Sequence, residues 1–137
     1  MPEYSCVEYL GYIGRQELAQ VYARSSIGMS TILNVGQYAS LDNFPTKVYE
    51  YMAAGLPVIV SDYPFMRRSV QQDDFGIAVD PADVQAVAQA IGAILSDPQR
   101  AQQMGENGRQ AVLQKYNWDI ELKKLLELYD SLSEQNS

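Results

Sequence analysis

Apolar residues in this chain change their spacing several times, from short runs rich in Val, Ile and Tyr to positions three and four apart. That alternation dictates an α/β layering. Residues 7–13, ending at Gly14, read as a first strand, and residues 15–24, with Leu18, Val21 and Tyr22 at helical spacing, as the helix after it. Residues 27–33 are a second apolar run, separated by the polar stretch 34–43 from a helix that starts at Pro45. A proline costs nothing in a first helical turn, and Val48, Tyr49, Met52 and Ala53 supply a buried face before Gly55 stops the helix. The near-continuous run 56–60 predicts a strand covered on both faces, and residues 75–79 predict a fourth.

Between and after these strands, a short helix through Arg68 to Gln71 follows the turn at Asp62, Tyr63 and Pro64. Another follows the cap formed by Asp80, Pro81 and Ala82, with Val84, Val87, Ala88, Ile91 and Leu95 on one side. Asp97 and Pro98 open the next, which runs on past Gly105 and Gly108 to Tyr116. Asn117, Trp118 and Asp119 restart a last helix through Leu132, and residues 133–137 read as a flexible tail. Tyr49, Tyr51 and Trp118 read as core aromatics. The expectation is a Rossmann-like, three-layer parallel sheet of about four strands flanked by helices, with ligands at the strands' carboxyl ends. Four strands are few for such a sheet and would leave an edge uncovered, as in a piece of a larger protein.

The 137 residues, 47% hydrophobic, suffice for one core, so residues 1–137 form a single domain. Ten basic against seventeen acidic residues give a net charge of −7, which argues against a nucleic-acid partner. The single Cys6 and the absence of histidine leave no disulfide, no zinc-ligand set and no nucleophile–histidine pair. Without a long apolar run or a signal peptide, the chain reads as cytoplasmic with no membrane span.

The stretch from Asp42 to Asp62 carries the chemistry. Asp42 lies just before the helix and Glu50 about one turn inside it. The unpaired N–H groups of Thr46 and Lys47, with the helix dipole and the Lys47 ammonium, suit a phosphate. Carboxylates would repel that phosphate but accept hydrogen bonds from sugar hydroxyls, so a ligand both hydroxylated and phosphorylated satisfies the pattern. Structural duties compete at each position: Asp42 as a turn or cap residue, Lys47 as an i,i+3 partner of Glu50, and Arg67 and Arg68 as a solvated turn or a phosphate contact.

At these residues the sequence resembles the C-terminal domain of GT-B-fold glycosyltransferases, the retaining group-1 (family 4) enzymes that use nucleotide sugars. Asp42 and Glu50 match the ends of that family's acidic pair, and residues 50–59 its helix-to-strand signature. Residues 76–83, 104–109 and 116–118 resemble its later elements. The resemblance implies that Glu50 binds ribose, Asp42 contacts the transferred sugar, and Asn43, Phe44, Pro45, Thr46 and Lys47 border the diphosphate. It also implies that residues 38–41 approach the donor sugar. Asp42 departs from the family's usual glutamate by one methylene, shortening its reach by about 1.5 Å. Pro45 offers no donor where the family often has glycine.

The family's catalytic basic pair and acceptor-binding N-terminal domain have no counterpart here, so the resemblance implies a donor-binding part, inactive alone. In the parent it would transfer sugar with retention to a glycan, lipid or other acceptor, as in polysaccharide biosynthesis, without metal or cofactor. Its partners would be the nucleotide sugar and the N-terminal domain, the latter able to hold it at a membrane surface. The rival reading is a non-catalytic Rossmann-like module that binds a partner or a nucleotide.

Overall fold

The computed structural model describes residues 5–135. Three parallel strands, β1 (Gly28–Ser30), β2 (Val58–Ser61) and β3 (Gly76–Val79), lie in the order β1-β2-β3. Gly28 pairs with Val58, and Val58 in turn with Gly76. Helix α1 (Arg15–Ala23) precedes β1, α2 (Thr46–Ala53) joins β1 to β2, and α3 (Pro64–Asp73) joins β2 to β3. Helices α4 (Val84–Ser96), α5 (Pro98–Gln114) and α6 (Trp118–Gln135) follow, and one 3-10 turn (Tyr38–Ser40) interrupts the loop before α2.

The three-layer parallel architecture is the expected one, with one strand fewer. Residues 7–13 form no strand; Val7, Tyr9 and Tyr12 are exposed. A strand exists only through a neighbour's hydrogen bonds, and among the described residues no second strand lies beside this segment. The apolar pattern was a sheet pattern without its sheet.

Strand β2 is buried along its whole length. Its side chains alternate, Val58 and Val60 joining a core with Val48, Met52, Met66 and Phe75, while Ile59 joins a second core with Ile94 and Met104. That two-sided burial is why residues 56–60 lack polar alternation.

Helix α2 is positioned at both ends. Gly55 takes a left-handed φ of 74°, and the N–H groups of Gly55 and Leu56 donate to the carbonyls of Met52 and Tyr51, a closure that favours glycine. Helix α5 then lies against it so closely that a Cβ on Gly105 would stand 2.0 Å from the Gly55 carbonyl oxygen. The two glycines tolerated in the sequence pattern of α5 are therefore contact surfaces.

Capping refines the expected boundaries. Asp83, rather than the 80–82 turn, caps α4 by accepting from the N–H groups of Gln85 and Ala86 at 3.0 Å. Asp97 accepts from Arg100 N–H at 3.0 Å with Pro98 at the first helical position, as expected. Helix α3 is longer than predicted, and α6 continues to Gln135, so the expected tail from residue 133 lies partly in helix and partly outside the described residues. Trp118 is not core: it is 71% exposed. Helix α6 turns away from the two cores, leaving Leu125, Leu126 and Tyr129 exposed as well.

Candidate functional site

At the carboxyl end of the sheet, the chain leaving β1 is tied down at Ile32. Its N–H donates to Ser61 Oγ at 2.8 Å, and its carbonyl accepts from Ser61 Oγ at 2.8 Å and from the Tyr63 hydroxyl at 2.7 Å. Beneath this end Ser30 is fully buried, and its Oγ has no hydrogen-bond partner among the described residues.

The loop then delivers residues 42–47 to the start of α2. Phe44 is 4% exposed and sits edge-on to Phe65, Phe75 and Tyr49. It is the loop's anchor, so its side chain is turned away from any ligand at the helix start. Asn43 supplies the turn: its Oδ1 accepts from Phe44 N–H at 2.9 Å and from the Tyr49 hydroxyl. Pro45 stands at the cap position without a side-chain cap, and Thr46 begins the helix. First-turn N–H groups have no intrahelical partner, and both Thr46 and Lys47 are exposed. Among the described residues Lys47 makes no ion pair, so the i,i+3 bridge to Glu50 is not formed.

Glu50 points toward α1. Its Oε2 accepts a 2.8 Å hydrogen bond from the Tyr22 hydroxyl, and Tyr22 stands edge-on to Tyr51 with ring centroids 5.5 Å apart. Burial, then the hydrogen bond and charge of Glu50, push the Tyr22 phenol well above its usual range, so it stays a donor across the physiological range. The groove between the two helices, about 570 Å³, is lined by Leu18, Ala19, Ala53 and Ala54, with Arg15 at its edge.

Asp42 lies elsewhere. Its side chain is 88% exposed, 3.9 Å from Arg68 Nη2, and lines a second concavity with Asn43, Tyr49, Tyr116 and Trp118. The Glu50 groove and this concavity share no lining residue. The structure thus groups Glu50 with Tyr22 and α1, and Asp42 with the α5–α6 joint, while Thr46 and Lys47 lie at the start of α2, between the two acids in the chain. Arg67 and Arg68 are helical residues of α3; Arg67 pairs with Asp62, which holds its guanidinium protonated. Sequence reasoning missed Tyr22, 28 residues from Glu50, and the concavity at Trp118, whose exposure helical spacing does not report.

A parallel α/β layer with an exposed helix N-terminus and a lysine beside it defines a Rossmann-like domain whose helix start suits a phosphate group. Residues 5–111 match the family described as "Glycosyl transferases group 1", and the chain belongs to that family. It is 30% identical over 117 residues, 85% of this chain and 26% of the relative, to a D-inositol 3-phosphate glycosyltransferase of Corynebacterium urealyticum. It is 29% identical over 119 residues, 87% of this chain and 31% of the relative, to a GDP-mannose-dependent alpha-(1-6)-phosphatidylinositol monomannoside mannosyltransferase of Mycobacterium tuberculosis. Sucrose-phosphate synthase from Thermosynechococcus elongatus has a similar solved structure, with a TM-score of 0.78 and 30% identity, over 94% of this chain and 31% of that one. The chain therefore spans about a quarter to a third of the length of these proteins.

Proposed function

We propose that this chain is the donor-binding part of a glycosyltransferase, taking the nucleoside diphosphate of a sugar donor across the start of α2. The observation that carries this reading is Glu50: exposed on α2, held through Oε2 by Tyr22, with Oε1 free of any partner among the described residues. A fixed carboxylate with one open oxygen accepts paired hydroxyls such as those of ribose. The apolar α1–α2 groove beside it accommodates a base, and the Thr46 and Lys47 N–H groups with the Lys47 ammonium take the diphosphate. No metal or cofactor enters this reading: the Lys47 ammonium and the helix dipole supply positive charge on this chain's side of the diphosphate.

Asp42 is assigned to the transferred sugar, reached when the loop 34–43 closes over the donor. Its present partner Arg68 is a solvent-exposed ion at 3.9 Å, a contact worth well under about 1 kcal/mol and so readily exchanged. Relatives about three times this chain's length are named for sugar transfer, and we assign the same reaction to the parent of this one, with retention at the anomeric carbon. The chain by itself is inactive in this reading, since one wall leaves the donor wet and its leaving group without opposing cations. The parent acts in the cytoplasm, at a membrane surface where its acceptor is a lipid; no described helix is long and apolar enough to cross a membrane.

The test is titration of GDP and UDP into isotope-labelled protein. Saturable amide shifts at Tyr22, Thr46, Lys47 and Glu50, abolished by Glu50→Ala, support the reading. An absence of shifts at millimolar nucleotide would refute it and favour a partner-binding module. Sugar release by the isolated chain from a nucleotide sugar in the presence of acceptor would refute the inactivity.

A further inference from the structure

The concavity beside Asp42 has a construction that donor binding does not require. Asn43 and Tyr49, from the entry to α2, form one wall; Tyr116, Trp118 and Glu121, across the α5–α6 joint, form the other, enclosing about 520 Å³. That volume lies in the range of small-molecule sites. Its walls are held in place. The Tyr49 and Tyr116 rings lie 5.5 Å apart, and Asn43 is fixed by Phe44 N–H and the Tyr49 hydroxyl. Asn117 locks the joint, its Nδ2 donating to the carbonyls of Val112 at 3.1 Å and Leu113 at 2.8 Å while its Oδ1 accepts from Ile120 N–H at 3.2 Å. A preorganised wall loses little entropy when a ligand arrives.

Trp118 stands at this rim 71% exposed, and no hydrogen bond engages its indole N–H among the described residues. An exposed indole face is a platform for the C–H face of a ring. The two carboxylates of the site each have their own cation: Asp42 has Arg68 at 3.9 Å, and Glu121 has Lys124 at 2.7 Å. The rim is thus close to charge-balanced, so neither an anion nor a cation gains much from entering. Hydroxyl groups do gain, because a carboxylate accepts strongly even while a solvated lysine or arginine stands nearby.

We propose that this concavity binds an uncharged pyranose ring of a glycan, with Trp118 as the stacking platform and Glu121 as the hydroxyl acceptor. The inference rests on the glycosyltransferase reading only in the kind of ring expected; the cavity, the bare indole and the balanced charges stand without it. It places a sugar site at the α5–α6 joint, apart from the Glu50 groove.

Trp118 is the only tryptophan in the chain, so its fluorescence reports on this site alone. Methyl α-D-glucopyranoside and methyl α-D-mannopyranoside are titrated into the full chain, with tetramethylammonium chloride as the cationic probe. The expected result is a saturable change in Trp118 emission with at least one pyranoside at millimolar concentration, weakened about fivefold or more by Glu121→Ala. Far-ultraviolet circular dichroism checks that the variant, altered at an exposed helical position, remains folded. Three outcomes overturn the proposal: no saturable change with either pyranoside, a response to tetramethylammonium alone, or equal pyranoside affinity in folded Glu121→Ala. The nucleotide titration is read at Tyr22 and Glu50 in the other groove, so either reading can fail while the other stands.

Discussion

Replacing Gly105 by alanine should destabilise the domain, although alanine is the better helix former. In an open helix the exchange gains about 0.5–1 kcal/mol, because glycine loses more backbone freedom on folding. At Gly105 the added Cβ would stand 2.0 Å from the Gly55 carbonyl oxygen, where ordinary contact begins at 3.4 Å. That oxygen belongs to the closure of α2, so it has no side-chain freedom with which to yield. Helix α5 must instead back away by more than an ångström, loosening the contacts of Met52, Phe75 and Ala111 beneath it. Overpacking of this kind costs about 1–3 kcal/mol, and the partly opened core adds to it, so a net loss of about 2 kcal/mol is expected. With a urea dependence of about 1–2 kcal/mol per molar for a domain of this size, the midpoint falls by about 1–2 M. Gly92 in α4 provides the internal control. A Cβ there meets nothing within 4 Å, so Gly92→Ala should raise the midpoint slightly. Urea unfolding followed by circular dichroism measures both. A Gly105→Ala protein as stable as the parent would show that α5 does not rest on the end of α2, and would remove the account of how α2 and Glu50 are held.

Tyr22→Phe removes the donor that orients Glu50 and should weaken GDP or UDP binding about threefold while shifting thermal stability little, since the bond is solvent-exposed; calorimetric titration and melting separate the two. Asp83→Ala deprives α4 of its cap and should cost about 1 kcal/mol in urea unfolding. Asp74 pairs with Arg100, whose hydrogen bond holds the Asp74 carboxyl below its ordinary 3.8. A depressed folded-state pKa contributes stability that is present above the unfolded value and is lost as pH falls through the folded one. The stability gap between the unsubstituted protein and Asp74→Asn, under about 1 kcal/mol for so exposed a pair, should therefore hold at pH 7 and close as acid takes the pH below the ordinary 3.8 and through the lower folded-state value. Asparagine tolerates the left-handed φ of 53° there, so the backbone is not the variable. A gap that survives to low pH would refute the assignment.

Local signals were legible where their cause is local. Asp97 with Pro98 announced the start of α5, Gly55 the end of α2, and the unbroken apolar run at 56–60 a strand buried on both faces. Each reflects a capping, left-handed or burial requirement met within a few residues. Glu50 stood out in the sequence through the family resemblance of its motif, and the structure places it on an exposed face of α2. Three readings failed or fell short for a shared reason. Residues 7–13 have strand composition, but pairing needs a neighbour that no composition reports. Trp118 has the spacing of a buried residue, but α6 leaves the body of the domain. Gly105 and Gly108 interrupt a helical pattern, and only the packing of α5, Gly105 on Gly55 and Gly108 on Phe75 and Met52, gives them a purpose.

From the sequence alone came the layer type, the order of helices and strands after residue 15, and the identity of the acids and the lysine around α2, because periodicity and capping are properties of neighbouring residues. Tertiary structure alone decided that Tyr22 holds Glu50, that Asp42 faces a different concavity, and that an aromatic joint between α5 and α6 stands open beside it. Those are relations between residues tens of positions apart, set by how helices cross a sheet, and crossing geometry is a property of the packed whole.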